Sequence, residues 1–269
     1  MAQQAICIIR GFNKSEQDFL DWEQRFAPLR VAFEKYGILV QGIYSTPDSN
    51  PNIPQNLSTP ITVVQAESNT AAHPSWSKAL NIPIQQLLHI IPETEYEHVA
   101  VIPMSFETQL DEHYAELLAK TISEHKRFVA CRITPDWLNI DNPYSVKSES
   151  DILQRWEYVK TNIQNESLSN ILRDEKRLQT LCMFGRNTLA QYYLSDFKTH
   201  GLFDETTDAI GGMEDWEYLL RTAPQFDCAI YYTDIRIQEN EKDIEAIRKQ
   251  REKLSREISA LKQIIEKKL

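Results

Sequence analysis

The sequence predicts an α/β fold, a mostly parallel sheet flanked by helices, followed by a C-terminal helix that enters a coiled coil. Two observations carry this. Short apolar runs alternate with helical periodicities through the first half of the chain, and a heptad seam runs from Ile244 to the end.

Ala5 to Ile9 (AICII) reads as a buried strand, and Ser15 then opens a helical pattern through Phe19, Trp22, Phe26 and Leu29. A second strand, Ile38 to Tyr44, leads into STPDSNPNIPQNLSTP, whose prolines cannot sustain a ladder, so a surface loop is predicted. Ile61 to Gln65 is the third strand. Apolar residues recur at helical spacing from Ser75 to Ile90, Pro92 ends that helix, and His98 to Ile102 (HVAVI) is a fourth buried strand. A helix from Leu110 to His125 and a strand from Phe128 to Ile133 repeat the alternation, which is the pattern of a sheet covered on both faces. Beyond Trp137 a loop and a helix are expected. A strand at Leu181 to Phe184 and helices at Thr188 to Phe197 and Asp215 to Thr222 follow.

A chain of 269 residues with 42% hydrophobic content can fill a core. Its net charge of -10 argues against broad nucleic-acid binding, which needs a concentrated basic surface. The start MAQQAICIIRGFNKSEQ lacks the basic and apolar regions of a signal peptide, and no run reaches the ~18 apolar residues of a membrane span. Cys7, Cys131, Cys182 and Cys228 form no CxxC pair, so free thiols in a reducing cytoplasm are expected. The histidines show no HExxH spacing, and GxGxxG, phosphate-loop and GxSxG motifs are absent from the sequence.

In the tail, Ile244, Arg251, Ile258 and Ile265 occupy a positions, and Ile247, Leu254, Leu261 and Lys268 occupy d positions. β-branched residues at a with leucine at d favour a parallel dimer, and Arg251 would fix its register at some cost in stability. In that dimer Asp243 meets the partner's Arg248 and Glu257 meets the partner's Lys262, both attractive. The expected organisation is a domain over 1–232 and a parallel homodimeric coiled coil over 233–269.

The segment GLFDETTDAIGGMEDWEYLLR, Gly201 to Arg221, resembles the acceptor-side segment of inverting family-two glycosyltransferases, where a G-x-F-D-E turn precedes E-D-W/Y-x-x-x-x-R. LCMFGRNTL upstream looks like the strand ahead of that turn, and together these cover about 40 residues. AICIIRGFN is placed like the family's first strand, and WSKALNIPI like its A-R-N-x-G-I helix start, with Asn81 matching and Leu80 replacing the arginine.

The resemblance implies a GT-A fold and transfer of a sugar from a nucleotide-sugar donor to a saccharide acceptor, as in surface-polysaccharide synthesis. It implies Asp215 as the general base for the acceptor hydroxyl, with Glu214 orienting the acceptor or serving as base instead. Trp216 would stack on a sugar face, Asn81 would lie at the substrate, and Asp48 would grip the nucleoside. Arg221 would pair with a carboxylate of its own helix. The family's D-x-D carboxylates, which hold a divalent ion, are replaced by Pro103 and Ser105, so no metal is assigned. Lys78, Arg132 and Arg186 would then neutralise the leaving diphosphate. The alternative is a catalytically silent GT-A-like module whose working part is the coiled coil.

Overall fold

The computed structural model describes residues 3–66, 76–106, 112–132, 154, 156–158, 160–161, 190–206, 214–222 and 228–233. Its elements run β1 (Gln4–Arg10), α1 (Glu16–Lys35), β2 (Leu39–Thr46), β3 (Ile61–Gln65), α2 (Trp76–Ile90), β4 (Val99–Ser105), α3 (Glu112–Ser123), β5 (Arg127–Arg132), β6 (Tyr192–Tyr193), α4 (Leu194–His200), α5 (Glu214–Thr222) and β7 (Cys228–Thr233). A five-stranded sheet has the order β3-β2-β1-β4-β6, and β5 pairs with β7 in a second, two-stranded sheet. The pairs β1–β2, β1–β4 and β2–β3 are parallel; β6 joins β4 antiparallel. This is an α/β fold with a mixed, mostly parallel sheet.

β1 is apolar at successive positions because helices cover both of its faces. Ala5, Cys7 and Ile9 enter one core with Phe19, Trp22 and Phe26 of α1 and Leu118 and Ile122 of α3. Ile6 and Ile8 enter the other with Leu80, Ile84 and Leu87 of α2 and Leu194 and Phe197 of α4. Burial also pushes the Cys7 thiol well above its ordinary range, so it is neutral and unreactive. Ser15 caps α1 as expected, accepting from the Asp18 N–H at 3.3 Å while Asp18 Oδ2 accepts from the Ser15 N–H at 2.8 Å.

β4 continues to Ser105, three residues beyond the predicted end and through Pro103. β6 pairs with β4 only at Ala100 and Val101, so Pro103 lies past that ladder, where a missing N–H is tolerated. The predicted helix over 188–197 is corrected: Tyr192 and Tyr193 form β6, and α4 starts at Leu194. Both tyrosines are buried, and Asp196 Oδ2 accepts the Tyr193 N–H at 2.8 Å, which sets the helix start at Leu194 rather than at Thr188.

Asp196 also accepts a two-pronged ion pair from Arg127, with Nη2 to Oδ1 at 2.7 Å and Nε to Oδ1 at 3.0 Å, tying β5 to α4. The predicted strand at Leu181 to Phe184 and the coiled-coil positions Ile244, Ile247, Leu254, Ile258, Leu261 and Ile265 lie outside the described residues. No described helix is long and apolar enough to cross a membrane.

Candidate functional site

From β1 the chain builds β2 and β3 on one side, then returns to place β4 on the other. Connections leaving β1 and β4 therefore diverge at their carboxyl ends, and open α/β sheets bind ligands in the crevice formed there. The parallel register sets Arg10, the last residue of β1, opposite Ser105 of β4 and Ser45 of β2.

Glu214 is what the chain delivers to that place. Arg10 Nη1 donates to Glu214 Oε1 at 2.8 Å, and the two side chains are only 9% and 6% exposed. A buried guanidinium at the strand end requires a carboxylate close by, since an uncompensated charge there is strongly unfavourable. Glu214 opens α5 and stands at the carboxyl ends of β1 and β4, with Asp215 the next residue of the same turn.

The strand ends are held from below. A Cβ on Gly11 would lie 3.0 Å from the Phe106 ring and 3.2 Å from that of Tyr44, so a larger residue here would require the rings to shift. Phe19, Tyr44 and Phe106 meet edge to face, with centroids 5.0 to 5.4 Å apart. Burial drives the Tyr44 phenol up to about 12, so it is neutral throughout the physiological range. Arg25 Nη2 donates to the Phe106 carbonyl at 2.6 Å, fastening α1 to the end of β4.

The loops after β1 and β2 are joined by the Asn13 N–H, which donates to Asp48 Oδ2 at 2.7 Å, with Asn13 in the left-handed region at φ 50. Phe12, between Gly11 and Asn13, is 43% exposed, presenting a large aromatic ring at the rim. Glu23 accepts the N–H groups of Ser58 and Thr59, at 2.5 and 3.0 Å, and so pins the far end of the proline-bearing loop to α1.

The GLFDE turn is built as a clasp. Gly201 ends α4 with φ 82, and Phe203 packs among Tyr192, Phe197 and Tyr218. Asn81 Nδ2 donates to the Phe203 carbonyl at 2.8 Å, while its Oδ1 accepts the Phe203 N–H at 3.0 Å. Ser77 Oγ reaches the Asp204 carbonyl at 3.2 Å. Arg221 closes the clasp from α5, donating from Nη1 to the His200 carbonyl and from Nη2 to the Leu202 carbonyl at 2.8 Å. These two bonds supply donors to the orphan carbonyls at the end of α4.

Of the residues assigned from sequence, Glu214 and Asp48 lie at the ends of the central strands, and Asp215 and Trp216 occupy the first turn of α5. Asn81, assigned to substrate, is 1% exposed with its amide engaged on the Phe203 backbone. Its role in the structure is to hold the turn. Asn81→Ala leaves the Phe203 N–H and carbonyl buried without that partner. It is expected to lower unfolding free energy by about 2–3 kcal/mol in urea titration.

Lys78 is half-buried on α2, Arg132 ends β5 in the two-stranded sheet, and Arg186 lies outside the described residues. Pro103 and Ser105 sit on β4 opposite Ile8 and Arg10. A divalent ion of the D-x-D kind does not fit there, because one position has no side-chain oxygen, the other has a neutral hydroxyl, and the facing residue is a cation.

Arg10, Gly11 and Phe12 are the residues sequence reasoning passed over. An arginine ending an otherwise apolar strand, followed by one of only seven glycines, was the available signal. No protein-family model matches the chain, and no match to a curated protein was found.

Proposed function

We propose that this chain is an inverting glycosyltransferase of GT-A-like fold that moves a sugar from a nucleotide-sugar donor to a saccharide acceptor. The observation that supports the reading is the Glu-Asp pair at the start of α5, brought by the Arg10–Glu214 ion pair to the carboxyl ends of β1 and β4. The strand order β3-β2-β1-β4 with its antiparallel neighbour β6 is compatible with that fold.

In the proposed reaction the Asp215 carboxylate takes the acceptor hydroxyl proton as that oxygen forms a bond to the anomeric carbon. The bond from this carbon to the donor phosphate oxygen breaks on the opposite face, and the nucleoside diphosphate leaves with the electron pair. Glu214, already bound to Arg10, orients the segment, leaving Asp215 as base. Phe12 and Asp48 line the rim where a nucleoside would rest, and basic side chains in place of a metal would offset the diphosphate charge, with Lys78, Arg132 and Arg186 as candidates. The remaining parts of the proposal are a cytoplasmic location and pairing of two such domains through the tail coiled coil.

The test is calorimetric titration of the full chain with nucleoside diphosphates and nucleotide sugars, with magnesium or manganese and again with chelator. Binding of one nucleotide that persists in chelator is the expected result. A second reading, a silent GT-A-like scaffold, is favoured by one observation: β4 ends without a carboxylate at Pro103 or Ser105. Absence of binding by every nucleotide under both conditions would select it.

A further inference from the structure

We infer that Arg10 is a positioning residue: through its buried ion pair with Glu214 it holds the first turn of α5, and with it Asp215, at the crevice over β1 and β4. The inference rests on the transferase reading for its catalytic consequence and on geometry alone for its structural one.

Arg10 and Glu214 are separated by 204 positions, so the contact is long-range and joins two layers of the fold. Arg10 is the end of the central strand, locked on either side by the parallel ladders to β2 and β4. Immediately after it, Gly11 packs closely against the Phe106 ring. The far end of α5 is fixed independently, by Arg221 on the carbonyls of His200 and Leu202. Between them, Tyr218 and Leu219 are buried.

The helix is therefore anchored at its last turn and along one face without Arg10. What Arg10 adds is the anchor at the first turn, where the proposed base resides. Positioning is separated from general stabilisation by where the effect falls: loss of the Arg10–Glu214 contact loosens the first turn of α5 and leaves the strands and the last turn of the helix in place.

The experiment compares full-length wild type with Arg10→Gln, Arg10→Lys and the double variant Arg10→Gln/Glu214→Gln, by hydrogen exchange and by the kcat of transfer set against the nucleotide Kd. Hydrogen exchange needs no substrate. In Arg10→Gln, amides in the first turn of α5 are expected to exchange at least tenfold faster, while those of β1, β2 and the last turn of α5 change less than twofold. Equal acceleration everywhere, or none in α5, would overturn the inference.

In the transfer assay, kcat of Arg10→Gln is expected to fall about a hundredfold with the nucleotide Kd within twofold of wild type. Arg10→Lys should recover part of kcat, and the double variant should fall no further than Arg10→Gln, because both lose the same contact. A fall in kcat matched by an equal loss of nucleotide affinity, or no recovery in Arg10→Lys, would overturn the positioning role. If the wild type neither binds nucleotide nor transfers sugar, the transferase reading fails, and the exchange result still decides whether Arg10 holds α5.

Discussion

Replacing Asp215 by asparagine is expected to slow sugar transfer about a thousandfold while leaving nucleotide affinity unchanged. A sugar hydroxyl is a weak nucleophile, and a positioned base contributes on the order of 10²–10⁴ in rate. Asparagine keeps the shape of the side chain and removes the proton-accepting charge. Because the lost charge lies in the first turn of a helix, stability falls by no more than about 1 kcal/mol. Activity and folding are thereby read separately. Steady-state kinetics with calorimetric Kd values and a thermal melt check all three quantities. An unchanged rate would remove Asp215 from the role of base. Glu214 does not inherit the role easily, since one of its oxygens is held at 2.8 Å by Arg10 and the side chain is almost fully buried.

The parts of the fold that were legible in the sequence are those where local and global preferences agree. β1 to β3, α1, α2 and β4 each combine the right hydrophobic period with an identifiable stop, such as Ser15 at the start of α1 or Pro92 after α2. Tyr192 and Tyr193 misled because a two-residue strand has no period to read. They pair with β4 for tertiary reasons, Tyr192 filling the core beside Phe197 and Tyr218 and Tyr193 the core on the other face of the sheet. Pro103 likewise reads as a strand terminator, yet it is tolerated at a point where β6 no longer borders β4.

The candidate site was legible only as a set of motifs. The spacing of GLFDE and EDW marks the segment, but the Arg10–Glu214 contact that joins it to the end of β1 is encoded by no sequence period. Asn81 shows the converse. A residue that matches a motif can serve its architecture: the amide of Asn81 satisfies both backbone groups of Phe203, and a short polar side chain of that shape is what the turn requires.

Glu214→Ala is expected to be the most destabilising single substitution in the site, lowering the free energy of unfolding by about 3–5 kcal/mol. The argument is one of solvation. Arg10 is 9% exposed, so removing the Glu214 carboxylate takes a charged partner from a guanidinium largely cut off from water. Against a total stability of about 5–15 kcal/mol for a domain of ordinary stability, that loss is large enough to shift the urea midpoint visibly.

The exposed pair Lys35–Glu116 provides the contrast, with side chains 63% and 39% exposed and an N–O distance of 2.5 Å. Water replaces either partner there, so Glu116→Ala is expected to leave the midpoint nearly unmoved. The double variant Arg10→Met/Glu214→Leu should recover most of the stability lost in Glu214→Ala, because two apolar side chains fill the space with no charge to desolvate. Urea unfolding of the four proteins checks this. If Glu214→Ala were as mild as Glu116→Ala, the Arg10 charge would be compensated by water or by its other contacts, and the ion pair would not be what stabilises the end of β1.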